Sequence, residues 1–152
     1  MRRDIRLFCV FVSWSIWIGG FTFYFSVVIP TGGAIVGGSE QGFITQQVTY
    51  WLNLIGTASL LILLWNAIAL RSRLLIATLS IMAFCQAALF AMHYGLDAVI
   101  DAQSRNVIEP ARFRTLHEFY EIAATVLWLA AMAHLFGIVR AANRHVGDVK
   151  SN

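Results

Sequence analysis

Two histidines and two carboxylates lie inside long apolar stretches of the chain. His93 and Asp97 are four residues apart, and so are His117 and Glu121, so each pair lies on one face if its segment is helical. Imidazole and carboxylate groups are ligands of zinc, iron and manganese, and both also transfer protons. Because an ionisable side chain is costly at membrane depth, such residues are functional candidates. These four residues form the candidate metal-binding set.

The two pairs are predicted to lie at matching heights. Counted from the inner ends of their apolar runs, His93 and Glu121 share one height, and Asp97 and His117 share another slightly further out. We therefore expect His93 to face Glu121 and Asp97 to face His117 between antiparallel helices. Three interpretations stay open at this point: a hydrogen-bonded lock between helices, a divalent-metal or haem site, and a proton relay in transport.

Uncharged polar residues extend this pattern. Gln86 lies two helical turns before His93, and Asn53 and Gln47 lie at a comparable height in the preceding apolar run. Lipid cannot satisfy amide groups, so these side chains are expected to turn inward. The sequence therefore predicts an interior polar network of Gln47, Asn53 and Gln86.

The elements that must position these residues are apolar helices. Hydrophobic residues make up 59% of the chain and charged residues 12%, whereas a soluble domain has about 25% charged residues. A membrane-spanning helix needs about 20 apolar residues, and four runs are long enough. We predict an all-α bundle of four transmembrane helices in one domain, residues 1–152. The helices are predicted at about residues 7–29, 40–70, 74–102 and 111–140, with Pro30 ending the first and a glycine-rich loop following it.

Basic residues predict the orientation of the bundle. Of the 11 Lys and Arg residues, eight lie near the two termini and in the short connection at residues 71–73. The positive-inside rule then places both termini in the cytoplasm. The first apolar run is too long for a cleaved signal peptide, which favours an integral protein of the bacterial inner membrane. Since the basic residues flank apolar runs, the pattern argues against nucleic-acid binding.

Several short motifs resemble a known family. They are Trp-Ile-Gly-Gly at 17–20, Phe-Thr-Phe-Tyr at 21–24, Val-Ile-Pro at 28–30, Gln-Gly-Phe-Ile-Thr at 41–45 and Trp-Leu-Asn at 51–53. The pattern resembles the small four-helix membrane family typified by transmembrane protein 205, and is more distantly similar to the copper-resistance protein D group. The resemblance implies a four-helix fold and no established enzymatic activity. Copper-resistance proteins often carry a histidine before the Trp-x-Gly-Gly motif, but residues 10–13 contain none, so no metal ligands are carried over.

The sequence favours a role without catalysis. It contains no glycine-rich phosphate loop and no Gly-x-Ser-x-Gly motif. The leading interpretation is a multi-pass membrane protein that acts through helix packing or a partner. The alternatives are a metal- or haem-binding protein that uses the His and carboxylate set, and a proton-coupled carrier that works as a homo-oligomer. The predicted partners are the lipid bilayer and either a second copy or another membrane protein.

Overall fold

The computed structural model describes residues 2–101 and 106–150, without the side chains of residues 2–3, 39 and 143–150. Helix 1 consists of five consecutive helical segments, Arg2–Trp14, Ser15–Gly19, Gly20–Phe23, Tyr24–Val28 and Ile29–Val36. Helix 2 is Gly38–Leu70, helix 3 is Arg73–Asp97 and helix 4 is Pro110–Lys150. Two short strands, Ile100–Asp101 and Asn106–Val107, pair antiparallel between helices 3 and 4.

The described chain is an all-α bundle of four helices, each long and apolar enough to cross a membrane. The four-helix prediction is therefore confirmed. The outside of the bundle is apolar, with Phe84 77% and Phe136 65% exposed, whereas Trp17 and Leu127 are fully enclosed. Such an apolar outer surface is expected where lipid rather than water surrounds the helices.

Helix 1 is longer than predicted, and Pro30 does not end it. The helix continues to Val36, with Pro30 in the first turn of the segment Ile29–Val36. Proline lacks an amide donor, and its ring clashes with the carbonyl four residues earlier in a regular α-helix. The π-helical turn Tyr24–Val28 lies directly before this segment, and its wider spacing accommodates the proline. Gly37, with φ of 88°, separates helices 1 and 2 instead.

The turn between helices 2 and 3 makes the predicted antiparallel hairpin. Arg71 adopts a left-handed conformation with φ of 48°, and the Ser72 hydroxyl accepts a hydrogen bond from the Leu75 amide at 3.5 Å. This serine caps the start of helix 3. We call this end of the bundle the turn end, and the opposite end, which holds Gly37 and the two strands, the chamber end.

Helix 3 is shorter than predicted at the chamber end. It stops at Asp97, and the chain enters a strand at Ile100, so the predicted continuation towards Ala102 is wrong; Ala102 itself lies outside the described residues. The Ile108 amide donates to the Val99 carbonyl at 2.9 Å, which folds the connection back over the bundle. Helix 4 in turn runs past residue 140 to Lys150, since no proline or glycine pair interrupts its polar end.

Two tryptophan indoles form hydrogen bonds between helix 1 and helix 4. The Trp14 indole donates to the Ala131 carbonyl at 3.2 Å, and the Trp128 indole donates to the Thr22 hydroxyl at 2.9 Å. Nearer the turn end, the Thr78 hydroxyl lies 2.8 Å from His134 Nδ1 and joins helices 3 and 4. These bonds close the bundle at its middle and at its turn end.

Candidate binding chamber

The four ionisable candidates pair within their own helices. His93 Nε2 lies 3.6 Å from Asp97 Oδ2, and His117 Nδ1 lies 3.5 Å from Glu121 Oε1. The predicted pairing across helices 3 and 4 is therefore wrong. On a helix, a side chain four residues further along is already within reach, so each imidazole meets a carboxylate without a partner helix.

A chamber of about 400 Å³ nevertheless collects three of the four candidates at the chamber end. His93 is 5% exposed in its wall, while the His117 and Glu121 side chains are 48% and 61% exposed. All four helices contribute to the wall. The lining residues are Phe25, Ile29, Gly33, Gly38, Gln41, Gly42, Thr45, Gln46, Thr49, His93, Leu96, Ile100, Phe113, His117, Tyr120 and Glu121.

Helix 2 supplies most of the uncharged polar wall. Gln41, Thr45 and Thr49 recur every four residues and so lie along one stripe. The Thr45 hydroxyl donates to the Gln41 carbonyl at 2.8 Å and accepts from the Tyr24 hydroxyl of helix 1 at 3.1 Å. The bond from Tyr24 holds helix 1 against helix 2 at the chamber wall.

Asp97 stands behind the wall and links two helices. The Gln46 amide of helix 2 donates to Asp97 Oδ1, while Asp97 Oδ2 faces His93. A carboxylate held in this way orients the imidazole. His93 is consequently fixed in the chamber wall by its own helix and, through Asp97, by helix 2.

A buried amide cluster lies further from the chamber end. Gln86 donates to the backbone carbonyl and to the side-chain oxygen of Asn53, at 3.1 and 3.2 Å. The Asn53 amide in turn donates to the Tyr120 hydroxyl at 3.4 Å, and Tyr120 lines the chamber. Asn53 and Gln86 are each 4% exposed, so three helices share this interior cluster.

Gln47 does not belong to that cluster. Its side chain is exposed, and the prediction that it is interior is wrong. The angle between successive residues on a helix is about 100°, so Gln46, seven residues before Asn53, shares its face, whereas Gln47 points elsewhere. Counting of depth alone placed Gln47 in the network, whereas helical phase turns Gln46 inward, where it donates to Asp97.

The described side chains do not have the arrangement that the predicted metal site requires. Among residues 2–101 and 106–150, no three His, Cys, Asp or Glu side chains come close enough to hold a metal ion. His93, Asp97, His117 and Glu121 form two separate pairs rather than one ligand set. A metal or haem site at these residues stays a prediction.

Several lining residues were not among the sequence candidates. The stripe of Gln41, Thr45 and Thr49 carries a readable signal, since polar residues recur at helical spacing in line with Asn53. Tyr120 and Phe113 carry no such signal, because aromatic residues near a helix end are ordinary interfacial anchors. Their role in the wall follows from how helix 4 packs.

The fold and the site together define a four-helix bundle of membrane-crossing length with a polar chamber at one end. No protein-family model matches the chain, and neither a curated protein nor a solved structure is significantly similar to it.

Proposed function

We propose that this chain is a multi-pass integral membrane protein that binds a small ligand in the chamber. One observation carries the proposal: all four helices of an apolar bundle surround a partly open space of about 400 Å³, whose wall contains amide, hydroxyl, imidazole and carboxylate groups. Pockets of this size with a few convergent polar groups are the usual form of small-molecule sites.

The orientation and the family resemblance predicted from the sequence are consistent with this proposal. The excess of basic residues near the termini and at residues 71–73 favours cytoplasmic termini, which would open the chamber towards the outer face of a bacterial inner membrane. The resemblance to the transmembrane protein 205 family agrees with a role without catalysis. Assembly with a second copy or another membrane protein stays a prediction.

Cysteine reactivity tests whether the chamber admits small solutes. In a variant without native thiols, Cys9→Ser with Cys85→Ala, we expect Thr49→Cys to react with 2-aminoethyl methanethiosulfonate in lipid nanodiscs. The matched control is Ser59→Cys, since Thr49 and Ser59 are both 4% exposed but only Thr49 lines the chamber. The expected ratio of reaction rates is at least about tenfold, because a thiol packed in a protein interior is inert.

A second variant tests whether the labelling of Thr49→Cys depends on the free volume of the chamber. Gly42 also lines the chamber, and a Cβ added there would meet no atom within 4 Å. Gly42→Trp should therefore project into the free volume and slow the labelling of Thr49→Cys. Equal, slow labelling at positions 49 and 59 would contradict the proposed function.

A further inference from the structure

A groove between helices 1 and 4 lies beside the chamber. It has a volume of about 390 Å³ and is lined by Phe21, Thr22, Phe25, Ser26, Glu121, Ala124, Thr125 and Trp128. Phe25 and Glu121 line both the groove and the chamber. The two spaces therefore lie next to each other at these side chains, and the groove faces the side of the bundle where the acyl chains of a bilayer would lie.

The groove has a defined lower limit. The Trp128 indole donates to the Thr22 hydroxyl at 2.9 Å and joins helices 1 and 4. Glu121 lies two helical turns from Trp128 towards the chamber end, and Phe25 lies about one turn from Thr22 in the same direction. On the turn-end side of the groove, helices 1 and 4 are therefore joined by a hydrogen bond. On the chamber-end side they line the groove, and Glu121 lies where the groove borders the chamber.

The charge at this junction is negative. Glu121 is the only acidic residue among the described residues that line either space, and none of them is Lys or Arg. The partner of Glu121 is His117, whose Nδ1 lies 3.5 Å from Glu121 Oε1. The second carboxylate, Asp97, stands behind the wall against His93. A positively charged group would be favoured here, and an anion disfavoured.

Aromatic rings surround the same junction. Phe25, Phe113 and Tyr120 line the chamber, and Trp128 lines the groove. The ring of Phe113 also stacks on His117, with ring centroids 5.7 Å apart. Aromatic faces attract organic cations and pack against their apolar substituents. The junction therefore combines one carboxylate and aromatic faces with a groove on the side of the bundle.

We propose that the ligand of the chamber is a lipophilic organic cation that enters from the bilayer through the groove between helices 1 and 4. Its charge is held by Glu121, and its apolar substituents contact the aromatic rings of the wall. This inference rests on the proposed binding function and adds the charge and the entry path of the ligand.

Tetraphenylphosphonium is the probe for this proposal, and tetraphenylborate, an anion of the same shape, is its matched counterpart. Binding is measured by isothermal titration calorimetry on the full-length protein in nanodiscs of zwitterionic lipid, with empty nanodiscs as the blank. We expect saturable binding of the cation and at least tenfold weaker binding of the anion. Glu121→Gln should weaken cation binding about tenfold, which corresponds to about 1.4 kcal/mol.

Glu118→Gln is the control variant. Glu118 is an exposed carboxylate one turn before Glu121 and is absent from the lining of both spaces, so the same loss of charge there should leave the affinity unchanged. Ser26→Trp should narrow the groove and slow association of the cation at least tenfold, as measured by stopped flow. Glu118→Gln serves again as the reference rate.

Two results would overturn the inference without touching the proposed function. One is equal affinity for the two ions, or preference for the anion, while Thr49→Cys remains reactive. The other is cation binding that Glu121→Gln and Glu118→Gln weaken alike, which would indicate nonspecific attraction to a negative surface. An unreactive Thr49→Cys would instead reject the chamber itself.

Discussion

Gly56 of helix 2 lies between Trp17 of helix 1 and Gln86 of helix 3. A Cβ at this position would stand 2.6 Å from the Trp17 indole nitrogen and 2.8 Å from the Gln86 side-chain oxygen. Real Cβ atoms do not come this close to other atoms, so a side chain here forces its neighbours apart. Because Gly56 has no Cβ, the enclosed Trp17 indole and the buried Gln86 side chain can both pack against this position of helix 2.

Gly56→Ala is expected to destabilise the protein by about 1–3 kcal/mol, the usual cost of overpacking a well-packed interior. The measurement is thermal unfolding of the purified protein in detergent. Gly19→Ala is the matched control, because a Cβ added at Gly19 meets no atom within 4 Å, and alanine favours a helix over glycine. If the two variants unfold at the same temperature, the close packing at Gly56 is incorrect.

Helix 1 is the least regular element of the bundle. It contains π-helical turns at Ser15–Gly19 and Tyr24–Val28, and such turns are frequent at functional sites. The second of these turns includes Phe25, which borders both the chamber and the groove. The hydrogen bond from Trp128 to Thr22 holds helix 1 just below that turn.

Trp128→Phe tests this bond. Phenylalanine keeps an aromatic ring but cannot donate to Thr22, so we expect a loss of about 0.5–1.5 kcal/mol, the net value of a typical hydrogen bond. The measurement is again thermal unfolding in detergent. Trp51→Phe is the control, since Trp51 is 62% exposed and its substitution should cost less. An equal loss in both variants would show that ring size, not the bond, is responsible.

Successive helices run in opposite directions, because their connections alternate between the two ends of the bundle. The turn at Arg71 lies at the turn end, while Gly37 and Ile108 lie at the chamber end. If all four helices cross the bilayer, Arg71 and Ile108 stand on opposite faces of the membrane. The positive-inside rule assigns Arg71 to the cytoplasm.

Membrane-impermeant maleimide tests this arrangement in intact bacterial cells that express the protein without native cysteines. We expect Ile108→Cys, an exposed position, to be labelled, and Arg71→Cys to be labelled only after the cells are opened. The reverse pattern would invert the orientation and keep the four crossings. Labelling of both positions in intact cells would refute a four-crossing topology.

The helices were largely predictable, and their ends were not. Twenty or more apolar residues in a row can satisfy their backbone groups in lipid only as a helix, so the four spans follow from composition. Pro30 shows the limit: it stops a regular α-helix, but a π-helical turn at Tyr24–Val28 absorbs it. Whether a helix stops at a proline or adapts to it depends on neighbours that the local sequence does not reveal.

Some features of the candidate site were likewise predictable from the sequence, and others were not. Sequence alone determined that His93, His117 and Glu121 lie near one end of the bundle, because position along a membrane helix follows from counting residues. It did not determine which groups pair, since an imidazole can reach a carboxylate on its own helix or on another. Only the packing of four helices decided that each histidine pairs locally and that the helices part around a chamber. Rotation and separation of helices are set by contacts between distant residues, such as Trp17 beside Gly56, and these contacts exist only in the folded bundle.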